Sequence, residues 1–439
     1  MAREMKDSGI EWIGEIPREW EVTKTLNGLS MPITDGPHTT PELFDDGVAF
    51  VSAEAVSSGN GIIDFSHIRG FISKEFYDEC CKKYTPKIND IYMIKSGATT
   101  GKVAIVVALD PVFTIWSPLA VFRSNTSIIC PKYLYYQLQS DGYQKQVQLG
   151  WSFGTQQNVG MRVLEQLKIT IPPLSEQQSI ADFLDTQCAH IDSVIEKTRA
   201  AIEEYKRLKQ SAITQAVTKG IRPNREMKDS GIEWIGEIPK EWNVQRIKTI
   251  FALRDERNYL PLKKVNLISL YTDKGVVQHS DLEKTTGNKA SNADGYKIVY
   301  ENDIIVNIIL CWMGAIGRSS YQGVTSPAYD IYVPSNAIEC RFYHHYFRTK
   351  GFSGDCYKRG KGIMAMRWRT YSDQFRDIKV VVPPLIEQQE ILNYLDEKTA
   401  AIDSLIQKKE QLISELEAYK KSLIYEYVTG KKEAPAHAH

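Results

Sequence analysis

Apolar residues at Ile180, Leu184, Ile191, Val194, Ile195, Ile202, Tyr205, Leu208, Ala212 and Ile213 follow one another at gaps of three, four and seven, apart from the adjacent pairs Val194-Ile195 and Ala212-Ile213. That spacing predicts a single apolar stripe along a long helix, the pattern of a coiled-coil seam. Adding 211 to each number gives Ile391, Leu395, Ile402, Leu405, Ile406, Ile413, Leu416, Tyr419, Leu423 and Ile424, every one apolar or aromatic. Ser175 stands as the N-cap of the first helix, with Gln178 as its capping-box partner, while the second copy carries Ile386 in that place. Gly220 and Pro223 end the first helix, and Gly430 ends the second. Ser175 to Thr218 is 44 residues, roughly 65 Å of helix. A helix of that length with one apolar stripe needs a partner. Two matching stripes predict an antiparallel pair related by a pseudo-two-fold axis. Its interface is expected at Ile180, Leu184, Ile191, Val194, Ile202 and Tyr205 of one helix and Ile391, Leu395, Ile402, Leu405, Leu416 and Tyr419 of the other. In the alternative arrangement each helix packs only on its own neighbouring domain.

The helices belong to a larger internal repeat. Arg3 to Pro17 reads REMKDSGIEWIGEIP, and Arg225 to Pro239 repeats it letter for letter at an offset of 222. Glu19-Trp20 recurs as Glu241-Trp242. The helix block opens with Pro172-Pro173-Leu174 and Glu176-Gln177-Gln178, matched by Pro383-Pro384-Leu385 and Glu387-Gln388-Gln389 at the offset of 211. Between the repeated blocks lie two dissimilar segments. The organisation is variable, constant, variable, constant. The repeated arm follows the end of the first helix, so the repeat predicts that the arm opening the chain lies beside the end of the second. Trp12, Trp20, Trp234 and Trp242 are expected to anchor the arms by burial.

The variable segments read as mixed and strand-rich. Ala49 to Val51, Lys102 to Val107 and Asp303 to Ile309 have the pattern of strands, and Lys132 to Leu138 that of a short amphipathic helix whose counterpart is Glu339 to Phe347. Ser96-Gly97-Ala98-Thr99-Thr100-Gly101-Lys102 is a turn between strands. It is not a nucleotide-binding loop, because its glycines are one residue too close and Lys102 is followed by Val103.

Lys+Arg and Asp+Glu are both 54, so composition announces no general polyanion binder. Charge is local instead. From Arg341 to Lys379, ten cations face three acids. The loop Tyr357 to Arg369, with Lys358, Arg359, Lys361, Arg367 and Arg369, is a candidate nucleic-acid contact, since Arg pairs with guanine edges and both cations hold phosphates. The corresponding stretch of the first copy, Ser152 to Asn158, is polar. Its Ser152, Thr155, Gln156, Gln157 and Asn158 suit adenine edges and phosphates, and an ordinary surface turn is the alternative. The turn carrying Lys95, Thr99 and Lys102 and the loop Asp35 to Thr40, with His38 and Thr39, complete the candidates. No catalytic signature is present: no HExxH, GxSxG or GxGxxG after a strand, and no Asn/Asp-Pro-Pro-Tyr/Phe. Seven cysteines without a CxxC pair argue against a zinc site or a disulfide framework. Met1 to Trp20 has no apolar core of a secretory signal, and no run of 18 apolar residues exists. A cytoplasmic protein is expected, with no metal or cofactor of its own.

The doubled PPLxEQQxIxxxLD motif, Pro172 to Asp185 and Pro383 to Asp396, is followed by Ile191-Asp192 and Ile402-Asp403. Together with KDSGIEWIGEIP and the turn Asn89-Asp90-Ile91 ahead of Ser96 to Lys102, it resembles the specificity subunits of Type I restriction–modification systems along essentially the whole chain. The second copy keeps Asn302-Asp303-Ile304 but replaces the glycine turn by Trp312 to Arg318. The resemblance implies an α+β protein. Two strand-rich target recognition domains, 1–166 with the N-terminal arm and 223–377, alternate with conserved helical spacers, 167–222 and 378–431, and a flexible tail follows at 432–439. It implies that each recognition domain reads one half of a bipartite, asymmetric site on double-stranded DNA, while the antiparallel coiled coil sets the spacer and docks two methylation subunits. S-adenosylmethionine, ATP and Mg then act in the methylation and restriction partners, not in this chain. The alternatives are a coiled-coil scaffold without base recognition and a stand-alone adenine methyltransferase or nuclease.

Overall fold

The computed structural model describes residues 3–153, 157–281, 292–335, 338–362 and 368–435. The chain divides into two compact units, Met1–Thr198 with Gln411–His439, and Arg199–Glu410.

The first unit opens with a hairpin, β1 (Met5–Asp7) against β2 (Glu15–Pro17). The next strand, β3 (Glu21–Lys24), pairs with β13 (Lys168–Ile171) and so closes the strand-rich segment between them at its base. Inside it, β4 (Thr34–Asp35), β10 (Leu119–Phe122), β7 (Ile91–Ile94) and β8 (Val103–Ile105) form an antiparallel sheet in that order. A second sheet holds β6 (Phe71–Ile72), β5 (Val48–Val51) and β9 (Phe113–Ile115). The residues of β7 and β10 are buried on both faces, so these strands read as continuous apolar runs. Helices α1 (Ala53–Ser58) and α2 (Lys74–Lys83) cover the sheets. Helix α3 (Pro131–Gln139) takes the place expected for Lys132 to Leu138, and α4 (Asp141–Leu149), a small hairpin of β11 (Ser152–Phe153) and β12 (Gln157–Asn158), and α5 (Met161–Gln166) follow.

The second unit repeats the frame. Hairpin β14 (Met227–Asp229) with β15 (Glu237–Pro239), and the pair β16 (Asn243–Arg246) with β25 (Lys379–Val382), match the arm and base of the first. The short helix α7 (Ile247–Ile250) leads into the sheet β17 (Phe251–Arg254), β24 (Tyr329–Pro334), β21 (Ile304–Asn307), β22 (Ile316–Arg318). Two further antiparallel pairs, the hairpin of β18 (Ile268–Tyr271) with β19 (Gly275–Gln278) and the non-sequential pair β20 (Lys297–Val299) with β23 (Gly323–Thr325), replace the first domain's three-stranded sheet. Helices α8 (Cys340–Phe347), α9 (Lys350–Arg359) and α10 (Ser372–Arg376) lead back to the base. The turns Asn89-Asp90 and Asn302-Asp303 both place Asn in the left-handed region, at φ 70° and 72°. Each buried Asp then binds an arginine, Arg123 for Asp90 and Arg254 for Asp303.

The long helices are α6 (Leu174–Lys219) and α11 (Leu385–Val428). Within the first unit they run antiparallel: Phe183 stacks near Tyr427, with ring centroids 4.5 Å apart, and Lys420 pairs with Asp192 at 2.6 Å. Within the second unit they do so again, with Lys209 on Asp403 at 2.6 Å. Adding 211 to Asp192 and Lys209 gives Asp403 and Lys420, so each unit carries the same ion pair with the helices exchanged. Ile180, Leu184, Ile191, Ile202, Ile391, Leu395 and Ile402 are buried as expected, and Val194, Tyr205 and Leu416 are half-buried. Leu405 and Tyr419 are exposed and do not belong to the seam. The least exposed positions of α11 advance by strict fours and threes through Ile402, Ile406, Lys409, Ile413, Leu416 and Lys420. Leu405 and Tyr419 each stand one residue before a seam position, about 100° round the helix. Lys409 occupies a seam place with its ammonium 5.8 Å from the Tyr205 ring.

The expected cap at Ser175 is also corrected. Both helices start one residue earlier, and the carbonyl of the preceding proline accepts the first bonds. Pro173 receives Glu176 and Gln177 N–H at 2.9 and 3.0 Å, and Pro384 receives Glu387 and Gln388 N–H at the same distances. Ser175 lies inside the first turn, which is why the exposed Ile386 replaces it without loss. Gln178 turns forward to Asp182 instead of back to the cap.

The first residues of the helices tie the two repeated blocks together. Glu176 accepts Trp20 Nε1 at 3.0 Å and Arg3 Nη1 at 2.6 Å, and Arg3 also reaches Glu19. Glu387 accepts Trp242 Nε1 at 2.9 Å and binds Arg225, which also reaches Glu241. The neighbouring Gln177 accepts Cys130 N–H and donates to Ile128 and Pro172 carbonyls, fixing the start of α3, and Gln388 accepts Glu339 N–H at the start of α8. Asp185 binds Lys132 and Tyr136, and Asp396 binds Arg341. Trp20 and Trp242 are fully buried; Trp12 and Trp234 are half-buried, and Trp234 Nε1 donates to Asp355 at 2.7 Å. The N-terminal arm meets the end of α11 as the repeat implies, where Lys431 Nζ and Tyr425 Oη donate to Ile13 O at 2.6 and 3.1 Å. Gly430 makes that approach possible at φ 70°, since a Cβ there lies 2.4 Å from Pro17.

Two substitution pairs test this frame. Leu395→Ala removes a fully buried seam residue and is expected to cost about 2–5 kcal/mol, whereas Leu405→Ala is expected to stay within about 0.5 kcal/mol. Denaturant unfolding of the chain checks this, and equal losses would remove the seam assignment. Glu387→Ala strands the nearly buried Arg225 and is expected to cost about 3–5 kcal/mol. Glu390→Ala, whose partner Arg222 is half exposed, is expected to cost less than about 1 kcal/mol. A Glu387→Ala variant as stable as Glu390→Ala would show that the arm is not held by this carboxylate.

Candidate nucleic-acid interface

In each recognition domain one central strand carries the candidate loops. Ile91 of β7 lies opposite Phe122, and Ile304 of β21 opposite Tyr332, so the two strands occupy equivalent places. Four residues beyond each, the chain leaves the sheet and receives a second segment. In the first unit Val159 N–H donates to Lys95 O at 2.9 Å, and in the second Thr370 N–H donates to Ile308 O at 2.9 Å. A hairpin precedes each of these bonds: β11–β12 in one, and the antiparallel bridge Lys361 to Arg369 in the other.

The first hairpin joins three sequence-distant candidates into one surface. Ser96 bridges Asn158, and Gly97 N–H donates to Gln157 O at 2.9 Å. The SGATTGK turn and the polar hairpin are therefore one continuous edge. Gln157 and Asn158 are exposed, Thr99 is half-buried, and Ser152 Oγ closes the hairpin on Asn158 O at 3.2 Å. Gln144 of α4 fixes the turn from behind by donating to Gly101 O at 2.8 Å. Lys95 and His38 converge on Asp35, at 3.3 and 3.1 Å, and Lys83 joins them at 2.5 Å. Burial pushes the Asp35 carboxyl up, but Lys83, Lys95 and His38 together outweigh it and hold it below the usual carboxylate range. Thr39 is exposed beside His38. Lys102 stands apart from this group, with its ammonium on Ser57 O at 3.2 Å. Thr155 and Gln156 lie outside the described residues.

In the second unit Lys361 and Arg369 exchange backbone bonds at 2.8 and 3.0 Å, and both are exposed. Trp368 stacks on Tyr357 with ring centroids 4.9 Å apart, and Tyr357 in turn meets Trp312 at 5.6 Å. An aromatic stack thus supports the base of the loop. Arg359 is exposed beside it, and Lys358 is exposed but bound to Glu233 of the arm at 2.7 Å. Arg367 lies outside the described residues. The ten-cation run is not a single patch, because some members are structural. Arg341 binds Asp396, and Arg348 donates to the carbonyls of Thr272 and Asp273 at 2.9 Å each. The Tyr/His helix α8 is core: burial pushes His344 down to about 3 and His345 to about 4, so both are neutral and present no cation to a ligand.

The residues that reasoning from sequence passed over are Lys83, on a helix with no feature marking it, and Asp35, named only as the start of a loop. Nothing in their local sequence signals that α2 brings the one to the other.

The family model described as Type I restriction modification DNA specificity domain matches residues 19–204 and again 239–416. The chain is 27% identical over 439 residues to a putative type I restriction enzyme MjaX specificity subunit of Methanocaldococcus jannaschii, covering 95% of each. It is 23% identical over 316 residues to the EcoBI specificity subunit of Escherichia coli, covering 66% of this chain and 64% of that one. Among solved structures, a chain of a type I R-M system assembly superposes with a TM-score of 0.67 at 14% identity, covering 95% of this chain and 99% of that one. The HsdS subunit from Thermoanaerobacter tengcongensis superposes with a TM-score of 0.52 at 15% identity, covering 95% and 98%. The duplicated frame with two dissimilar tips is thus matched twice over most of its length, and the chain belongs to the Type I restriction–modification DNA specificity family.

Proposed function

We propose that this chain reads a bipartite, asymmetric site on double-stranded DNA, one half by each recognition domain, without catalysing a reaction itself. The observation that carries this reading is the pair of hairpins hung from equivalent rungs of the two equivalent sheets but bearing different chemistry. A shared frame with unlike tips is what two readers of unlike sequences require. In the first domain the contacts are His38, Thr39, Lys95, Thr99, Lys102, Ser152, Gln157 and Asn158, joined by Thr155 and Gln156. In the second they are Lys358, Arg359, Lys361, Arg367 and Arg369. Amide side chains match adenine edges, guanidinium groups match guanine, and the lysines hold phosphates. The helix pair sets the distance between the half-sites. It docks two methylation subunits, which supply S-adenosylmethionine and adenine chemistry. Restriction subunits with ATP and Mg complete the complex when present. The setting is the cytoplasm; among the described residues no helix is long and apolar enough to cross a membrane.

Mapping adenine methylation in host DNA with this gene intact and deleted, its neighbours untouched, tests the reading. A two-part motif with a fixed gap that vanishes on deletion is expected, and an unchanged methylation pattern in cells expressing the complex would remove the function. Within that motif, Arg369→Ala is expected to relax one half-site by about 1–3 kcal/mol per lost base contact. Asn158→Ala is expected to relax the other, as read by methylation of single-base variants. Both changes falling on the same half would overturn the assignment of one domain to each half.

A further inference from the structure

We propose that Asp35 is a positioning residue of the first recognition domain, holding Lys83, Lys95 and His38 in the fixed array of basic side chains that meets the DNA. The proposal rests on the reading that this domain binds DNA. Its grounds are geometric. The Asp35 side chain is 1% exposed on β4, yet three basic side chains from separate parts of the chain reach it: Lys83 from the end of α2, Lys95 from beyond β7, and His38 from the following loop. Lys83 and His38 are 50% and 72% exposed and Lys95 13%, so the array has a buried anion at its centre, Lys95 beside it, and the Lys83 ammonium and the His38 imidazole at its rim. Lys95 contributes twice, because its carbonyl also receives Val159 and so holds the polar hairpin. The loop leaving Asp35 is pressed onto β9, where a Cβ on Gly36 lies 2.0 Å from Ile115 O. The backbone that carries the carboxylate is thereby held at the sheet edge.

A lysine has a flexible four-carbon stem and loses rotamer freedom when it binds. An anion that fixes the ammonium beforehand removes part of that cost and confines the contact to one geometry. Loosely held lysines attract any phosphate; lysines held by one carboxylate, with His38 beside them, accept a backbone only in one register, which places the hairpin's Gln157 and Asn158 over a defined base step. The second domain has no such array among its described residues. One strand over at the same rung of the equivalent sheet, in the place of Ala120 opposite Asp35, Asp330 is enclosed with Lys297 at 2.9 Å and Ser372 at 2.5 Å, and that lysine is only 8% exposed. The two domains thus use a buried acid at neighbouring places, turned outward in one and inward in the other.

The test uses the chain assembled with its methylation subunits and duplexes carrying its methylation motif, with single-base changes in either half. Asp35→Asn keeps the shape and removes the anion. Its expected result is a split. Binding to a duplex lacking the motif stays equal or strengthens, because the chain gains net positive charge. Discrimination in the half read by the first domain falls about tenfold, while discrimination in the other half is unchanged. Lys95→Gln is expected to lower discrimination in the same half, and the double variant to lose no more than the worse single one, as residues of one unit do. Parallel loss of binding and discrimination in both halves would overturn the proposal in favour of a folding role. So would full discrimination in Asp35→Asn, or additive losses in the double variant. A parent complex with no preference in the first half would instead overturn the underlying DNA-reading assignment. If Asp35→Asn does not fold, Lys95→Gln and Lys83→Gln decide: unchanged discrimination in both rejects the array.

Discussion

One carboxylate in each unit holds the frame together. Glu176 and Glu387 stand in the first turn of the long helices, where the positive end of the helix dipole favours an anion. Each takes the indole N–H of the tryptophan that follows the arm and the guanidinium of the arginine that opens it. Both tryptophans are fully buried, and the Trp242–Glu387 bond is made away from water, where an unmatched partner is costly. The adjoining Gln177 and Gln388 then fix the first turn of α3 and α8. A two-residue stretch, Glu-Gln, thereby joins arm, long helix and recognition domain. This explains why the arm and the helix start are the most faithfully repeated parts of the chain: each is the binding site of the other, and a change in one requires a change in its partner.

The helix seam follows a different logic. Its apolar places are interrupted by lysines at Lys209, Lys409 and Lys420, and these are satisfied by Asp403, the Tyr205 ring and Asp192. A polar group in a seam fixes register at some expense of stability, since any slip leaves it without its partner. Because Lys209–Asp403 and Lys420–Asp192 are the same pair with the helices exchanged, each unit sets the same register independently.

Much of this was legible in the chain. The repeat, the helices, the strand and helix segments of the recognition domains and the meeting of the N-terminal arm with the last helix all follow from periodicity and duplication. The errors have physical causes. Leu405 and Tyr419 entered the stripe because a tolerance of one residue in an apolar pattern equals 100° of helix. Ser175 was read as a cap because its side chain suits one, but the rigid proline before Leu174 already starts the helix. The ten-cation run overstated the contact surface, since charge counted along the chain does not distinguish Arg348, bound to carbonyls, from Arg369 on the surface. The Asp35 cluster was illegible for a related reason. It joins β4, α2 and the end of β7, and only the tertiary fold makes neighbours of residues 35, 83 and 95.

What the two domains share and what they change divides along one line. The backbone bond from Val159 to Lys95 and that from Thr370 to Ile308 involve no side chain, so any hairpin sequence can hang from them. Base edges are distinguished by side chains, and the side chains beyond that bond are amides in one domain and guanidinium and ammonium groups in the other. Anchoring through the main chain lets the tip diverge without loosening its attachment. Anchoring the frame through Glu176 and Glu387, by contrast, uses side chains, and that frame scarcely diverges between copies. The contrast between fixed and variable blocks in the sequence is thus the contrast between contacts made by side chains and contacts made by the backbone.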